Sequence, residues 1–148
     1  MTERRRFVIA SAKEQFSRLY PIIAEIVEEI GLEGEEKFRF AVCVSEAFTN
    51  AFFHGNQADP GRQVEMTFAW DAELFWVEIG DQGAGKVRDI DLNLAVNSIP
   101  TEETSGRGVA IITKFADKVE VAEKVGGGLL VKMIWHRQAR PLPRTSVS

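Results

Sequence analysis

Ser45-Glu46-Ala47-Phe48-Thr49-Asn50-Ala51-Phe52-Phe53-His54-Gly55 sets a carboxylate, a carboxamide and an imidazole four residues apart in a segment that otherwise reads as buried helix. Side chains at that spacing stack on one helical stripe. Ala41, Val42, Cys43, Val44, Ala47, Phe48, Ala51 and Phe52 surround the stripe, so nearly every other direction is apolar. A carboxylate in such surroundings is costly unless something pairs with it. The spacing therefore predicts a cation or a polar ligand over Glu46 and Asn50. A satisfied buried polar pair is the purely structural alternative, and His54 reads as a capping or packing residue.

Outward from this helix, which is expected to run from about Gly34 to His54, the pattern on the N-terminal side is strand then helix. Phe7, Val8 and Ile9 lie in a short strand over Arg6 to Ala10. Ser11-Ala12-Lys13-Glu14 reads as a capping box opening a helix whose stripe is Phe16, Leu19, Tyr20, Ile23, Ile26, Val27 and Ile30. Pro21 should kink that helix and Gly31 should end it. On the C-terminal side, Val64, Met66, Phe68 and Trp70 alternate with polar or small residues, and Asp71-Ala72 leads tightly into Leu74 to Gly80. This is the pattern of a hairpin. Lys86 to Ser105 has weak periodicity and reads as a long loop, a feature usually kept for function. Gly106-Arg107-Gly108 enters a short buried helix through Phe115. Val119 and Val121 mark a strand, Gly126 to Gly128 a turn, and Leu129 to Trp135 the last strand.

Hairpins imply antiparallel pairing, so the expected class is α+β: a two-layer α/β sandwich with a mixed, mainly antiparallel sheet and helices on one face. One domain should span residues 1–136. The tail over 137–148 is basic, contains Pro141 and Pro143, and is expected to be disordered. The open sheet face must be partly exposed or used for contacts. The parity of β-residues puts Trp76 on it, opposite to Phe75, Val77 and Ile79, as a dimer or partner patch.

Composition narrows the function classes. The chain has 148 residues, 45% hydrophobic and 27% charged, ordinary for a globular protein with a real core. Its net charge is −4, and the tail from Arg137 onward holds three arginines and no acid, leaving −7 on residues 1–136. That acidity argues against a nucleic-acid grip. A single cysteine, Cys43, excludes an internal disulfide and reads as a small core residue. No apolar run approaches the ~20 residues of a membrane span, and residues 1–10 lack a signal-peptide core. A cytoplasmic location is expected, with no membrane and no direct nucleic-acid partner.

The chemistry-bearing residues fall in three clusters. Gly83 and Gly85, just after a strand-end aspartate, can let the backbone wrap a flat ring. Asp81, when ionised, only accepts hydrogen bonds, which suits a ligand amino group. Gly106-Arg107-Gly108 opens a helix, where free N–H groups and the dipole favour phosphate, and Arg107 adds charge. Asn50 can offer a hard oxygen to Mg²⁺, which leans on substrate phosphates. Glu46, one turn earlier, would face the same water-filled pocket and could act as general base.

In order and spacing these clusters resemble the N-box and the two glycine boxes of the Bergerat-fold (GHKL) ATPases. Within that superfamily the chain most resembles the bacterial anti-sigma factor serine/threonine kinases. The shared features are the Ser45 to Gly55 pattern and the Gly106 to Gly108 entry to the last helix, and the match covers roughly residues 5–136. The resemblance implies ATP and Mg²⁺ as cofactors, with Glu46 as catalytic base and Asn50 as metal ligand. It implies that Asp81 bonds the adenine amino group, that Gly83 and Gly85 line the base pocket, and that Gly106, Arg107 and Gly108 meet the phosphates. Residues 86–105 become the ATP lid. Two positions depart from the family pattern: Leu129 stands where a threonine is common, and Lys86 follows Gly85 where an apolar residue is common. Implied partners are a sigma factor, an anti-sigma antagonist whose serine is phosphorylated, and a second copy in a homodimer. The alternatives are a binding module of the same fold that uses nucleotide only for grip, or not at all, and a detached histidine-kinase catalytic domain. The last has against it that no phospho-acceptor helix precedes the ATPase region.

Overall fold

The computed structural model describes residues 1–85 and 104–138, with side chains in the last helix described from Ala110 onward. The lid expected over residues 86–105 falls largely outside the described residues, as do tail residues 139–148. The chain opens with β1 (Glu3–Ala10), a 3₁₀ turn (Lys13–Arg18), α1 (Leu19–Ile30) and α2 (Gly34–Thr49). A π-helical turn (Asn50–Gly55) continues α2, followed by β2 (Gln63–Trp70) and β3 (Leu74–Gly80). Helix α3 (Thr104–Phe115) and strands β4 (Lys118–Glu123) and β5 (Leu129–His136) complete the fold.

The five strands lie in the order β1-β2-β3-β5-β4. Every pairing is antiparallel, so the sheet expected to be mixed has no parallel pair among the described residues. The reason is connectivity: β2 to β3 and β4 to β5 are hairpins, and the longer excursions return to an antiparallel edge. Period-two alternation sorts the faces. In β3, Phe75, Val77 and Ile79 are buried against the helices, whereas Trp76 and Glu78 sit half-exposed on the outer face. Trp76 therefore lies where parity placed it, with Lys132 Nζ 5.7 Å from its ring centroid.

Phe40 is the centre of the core. It packs edge-on against Phe75 and Trp135, at 5.7 and 5.4 Å between ring centroids, and lies 6.1 Å from Phe68. Trp135 stacks on Phe75 and donates its indole N–H to the Phe115 carbonyl at 3.0 Å, which ties the sheet to the end of α3. Cys43 is fully buried on the same helix. Burial, with the nearby Glu46 carboxylate, pushes its thiol up to about 12. It is a core residue without thiolate reactivity, as the sequence predicts.

Two expectations for the first helix are corrected. Ser11 does not cap it: its hydroxyl is buried and accepts a hydrogen bond from Asn56 Nδ2 at 2.9 Å. Pro21 does not kink α1 but sits in its first turn, where no N–H is needed. The chain absorbs the proline by running as 3₁₀ helix up to Arg18. Tyr20, counted on the buried stripe, is 57% exposed, and Ile22 is buried instead. Gly31, at φ 84°, ends α1 with its N–H on the Val27 carbonyl at 2.9 Å.

Beyond β5, residues 137 and 138 are hydrogen-bonded to the body. Arg137 donates from Nε to the Asp71 carbonyl at 2.8 Å and from Nη1 to the Ile30 carbonyl at 3.0 Å. The Gln138 N–H donates to Glu36 Oε2 at 3.0 Å.

Candidate functional site

Helix α2 changes character where the opening motif reaches Asn50. Its last turn widens, with the Asn56 N–H reaching back to the Ala51 carbonyl at 2.8 Å and the Ala58 N–H to Phe52 at 2.9 Å. Wide π turns are rare and recur at functional sites. Here the widening brings the Ala51, His54 and Gly55 side of the helix over the ends of β3 and β5. A cavity of about 470 Å³ lies between them. Ile79, Ile112, Val121, Leu129 and Val131 make its wall mainly apolar, and Asn50, His54, Arg62 and Asp81 supply polar groups. That size and balance match small-molecule sites in general.

Asp81 is the best-determined of these groups. It is only 6% exposed. Its own N–H donates to the Leu129 carbonyl at 3.0 Å, continuing the β3–β5 ladder by one residue. Oδ1 accepts the N–H groups of Gly83 at 2.9 Å and Leu129 at 3.1 Å. Lys124 Nζ holds the main-chain carbonyl at 3.0 Å. Oδ2 has no hydrogen-bond partner among the described residues. Oδ2 packs beside the Gly55 Cα, on a residue that lines the cavity. The carboxylate is thus fixed through Oδ1 at the cavity wall.

Glycine is required at two points of this arrangement. A Cβ on Gly83 would collide with the Gly55 carbonyl, and a Cβ on Gly55 would land on Asp81 Oδ2. The loop after β3 and the end of the α2 motif can therefore touch only as bare backbone. Gly85 lies on the cavity wall, where a Cβ would sit 3.1 Å from Leu129 Cδ1.

The sequence reading missed Asn56. It is fully buried, and its Nδ2 donates to Ser11 Oγ and to the Gln63 carbonyl, each at 2.9 Å. Its Oδ1 accepts the Gln82 N–H at 2.7 Å, while Gln82 Oε1 accepts the Gln63 N–H at 2.6 Å. One carboxamide thereby ties the ends of β1, the π turn, β2 and the loop carrying Asp81. In sequence it is one polar residue of a polar turn, and no pattern distinguishes it.

Of the residues predicted for the site, Asn50, Asp81 and Gly85 line the cavity, and Gly83 abuts Asp81 from behind. Glu46 does not share that cavity among the described residues. It lines the adjoining groove between α1 and α2, with Tyr20, Val27 and Val42. Four residues turn an α-helix by about 400°, so Asn50 stands about 40° further round the axis than Glu46. Asn50 falls on the cavity side of the boundary and Glu46 on the other. Gly106, Arg107 and Gly108 fall within the first five residues of α3, at its N-terminal end.

A nucleotide fits what is present: a mainly apolar cavity large enough for a flat base, with the Asp81 carboxylate on its wall. A magnesium ion fits more narrowly. No cluster of three acidic, histidine or cysteine ligands occurs among the described residues, so an ion there would lean on phosphate oxygens, with the Asn50 carboxamide on the same cavity wall.

Among the described residues the fold is three helices over an antiparallel sheet, with an aspartate just past a strand end on the wall of a mainly apolar cavity, which is the frame of an ATPase-type nucleotide-binding domain. The family model for the histidine kinase-like ATPase domain matches residues 9–135, and the chain belongs to that family. Among curated proteins it is similar to the anti-sigma F factor of Anoxybacillus flavithermus, 31% identical over 133 residues, covering 88% of this chain and 89% of the relative. The anti-sigma F factor of Clostridium acetobutylicum is 30% identical over 130 residues, covering 86% and 88%. Among solved structures, the nucleotide-free catalytic domain of histidine kinase ThkA superposes with a TM-score of 0.57 at 11% identity, covering 89% of this chain and 97% of that one. It shares the fold. No helix among the described residues is long and apolar enough to cross a membrane.

Proposed function

We propose that this chain is an anti-sigma regulator that binds ATP in the cavity beside Asp81 and phosphorylates a serine of an anti-sigma antagonist. The observation that carries the reading is Asp81: a buried carboxylate fixed through Oδ1 on the wall of a mainly apolar cavity. The kinship with anti-sigma F factors supplies the regulatory context. Asp81 Oδ2 accepts from the adenine amino group, and the N–H groups opening α3, with Arg107, balance phosphate charge. Asn50 holds Mg²⁺, which when bound neutralises charge on the phosphates. Glu46 accepts the proton of the antagonist's serine hydroxyl as that oxygen bonds to the γ-phosphorus and the bond from γ-phosphorus to the β–γ bridging oxygen breaks, leaving ADP. The chain holds a sigma factor inactive until the antagonist engages it. It works in the cytoplasm as a homodimer, with Trp76 on the uncovered sheet face at the contact.

The test is phosphate incorporation into the cognate antagonist from γ-labelled ATP. Glu46→Gln should abolish transfer while calorimetric ADP binding is kept; equal transfer by the variant would refute Glu46 as the base. A second reading, a binding module that grips without transfer, is favoured by one observation: Glu46 looks into the α1–α2 groove and not into the cavity. Nucleotide binding without any phosphate transfer by the unaltered protein would select it.

A further inference from the structure

The groove between α1 and α2 combines an apolar floor with an acidic edge. Its floor is apolar, with Ile23, Val27 and Leu32 buried and Val42 half-buried. Its lining carries Glu28, Glu33 and Glu46 against a single base, Lys37. Tyr20, 57% exposed, stands on its rim. Apolar floors edged by acids and an aromatic ring suit extended, proline-containing basic segments.

The chain carries such a segment and delivers it to the end of the groove. Residues 139–148 read Ala-Arg-Pro-Leu-Pro-Arg-Thr-Ser-Val-Ser, with Arg140 and Arg144 flanking Pro141, Leu142 and Pro143 and no acid. The described chain ends tied to the α1–α2 turn: Arg137 Nη1 donates to the Ile30 carbonyl and the Gln138 N–H to Glu36 Oε2, each at 3.0 Å. Gly31, Leu32 and Glu33, which close that end of the groove, follow Ile30 directly. From Glu33 to Glu46 is about 20 Å along α2 at about 1.5 Å per residue. Residues 139–148 in polyproline conformation reach about 30 Å at about 3.1 Å per residue, so the groove lies within reach. Alternate prolines also reduce the conformational freedom lost on docking.

We propose that residues 139–148 bind the α1–α2 groove of their own chain, with Arg140 against Glu28 and Glu33, Leu142 on the apolar floor, and Arg144 directed towards Glu46. Groove shape, charge and the exit of the chain at the α1–α2 turn would hold the segment whatever chemistry Glu46 performs.

The test uses the full chain with Ser146→Cys carrying a nitroxide; the native Cys43 is buried and resists labelling. Amide signals of Ala41, Val42 and Ser45 should lose most of their intensity in ¹⁵N-labelled protein, while those of the outer face, such as Thr67 and Lys132, should not. The double variant Arg140→Glu/Arg144→Glu should restore the groove signals, and raised salt should do so in part. Signal loss spread evenly over the surface would overturn the proposal, as would loss unaffected by charge reversal. Loss seen only when unlabelled nitroxide protein is mixed with ¹⁵N protein would place the segment on a second copy and overturn it equally.

Discussion

Replacing Asp81 by asparagine separates the two jobs of its carboxylate. Oδ1 is occupied by the N–H groups of Gly83 and Leu129, and the amide oxygen of asparagine can accept both in the same rotamer. Those bonds weaken as the acceptor loses its charge, but no donor is orphaned, so the fold should lose about 1 kcal/mol. At the other position an NH₂ donor replaces Oδ2, the oxygen proposed to accept from the base. An adenine amino group arriving there meets a donor where it needs an acceptor. The lost hydrogen bond to a charged group is worth about 1.5–3 kcal/mol, so ADP affinity should fall by roughly 10- to 150-fold. Asp81→Ala behaves differently, because both N–H groups are left in a buried site without a partner at about 1–3 kcal/mol each. It should melt well below the asparagine variant. The assay is paired: calorimetric titration with ADP and Mg²⁺, and a thermal melt of the same preparations without nucleotide. Unchanged ADP affinity in a folded Asp81→Asn protein would refute the assignment of Oδ2 to the base. Equal melting of the alanine and asparagine variants would refute the role given to Oδ1.

Three further outcomes are expected. Gly83→Ala forces a Cβ into the Gly55 carbonyl, a backbone atom that cannot swing aside, so it should destabilise by about 1–3 kcal/mol as an overpacking change and weaken nucleotide binding through displacement of Asp81; a melt within error of the parent would contradict this. Asp71 Oδ1 accepts the Leu74 and Glu73 N–H groups at 2.8 Å each, which holds its carboxyl below the usual 3.8. Its contribution is present above pH 3.8 and is lost as pH falls through the lower folded value, so Asp71→Asn should flatten the acid limb of a stability–pH profile, and an unaltered limb would count against it. Trp76→Ala, on the uncovered face of the sheet, should shift sedimentation towards the monomer without lowering ADP affinity; an unchanged mass would remove Trp76 from the contact.

The hydrophobic pattern carried the fold because each element had one dominant period. The three-four spacing of α1 and the alternation in β2 and β3 place Ile23, Phe68 and Val77 correctly with no knowledge of their neighbours. Where the reading failed, a residue's role depended on a partner distant in sequence. Ser11 has the local signature of a cap, yet its hydroxyl serves Asn56, and the energy of that buried bond outweighs a solvent-exposed cap. Arg137 looks like the first residue of a tail, but its guanidinium reaches the carbonyls of Asp71 and Ile30. Long-range polar ties leave no periodicity to read.

The same limit explains the candidate site. Spacing alone puts Glu46 and Asn50 on one stripe, and a stripe about 40° wide can straddle a boundary between two hollows. Which hollow receives each side chain depends on how α1, α3 and the β3 loop pack against α2, and the α2 sequence does not encode that. Asp81 was legible for the opposite reason: its neighbours Gly83 and Gly85 report a backbone forced into close contact, and such contacts recur where ligands are held. Leu129 contributes to the site through both its backbone and its side chain. Its N–H and carbonyl both bind Asp81, so its backbone helps build the site whatever its side chain is. Its side chain lies on the cavity wall 3.1 Å from where a Gly85 Cβ would stand. A threonine there could add a hydroxyl without disturbing the Asp81 frame, so Leu129→Thr should raise ADP affinity in calorimetry with the melting temperature little changed, and an unaltered affinity would remove the residue 129 side chain from the base pocket.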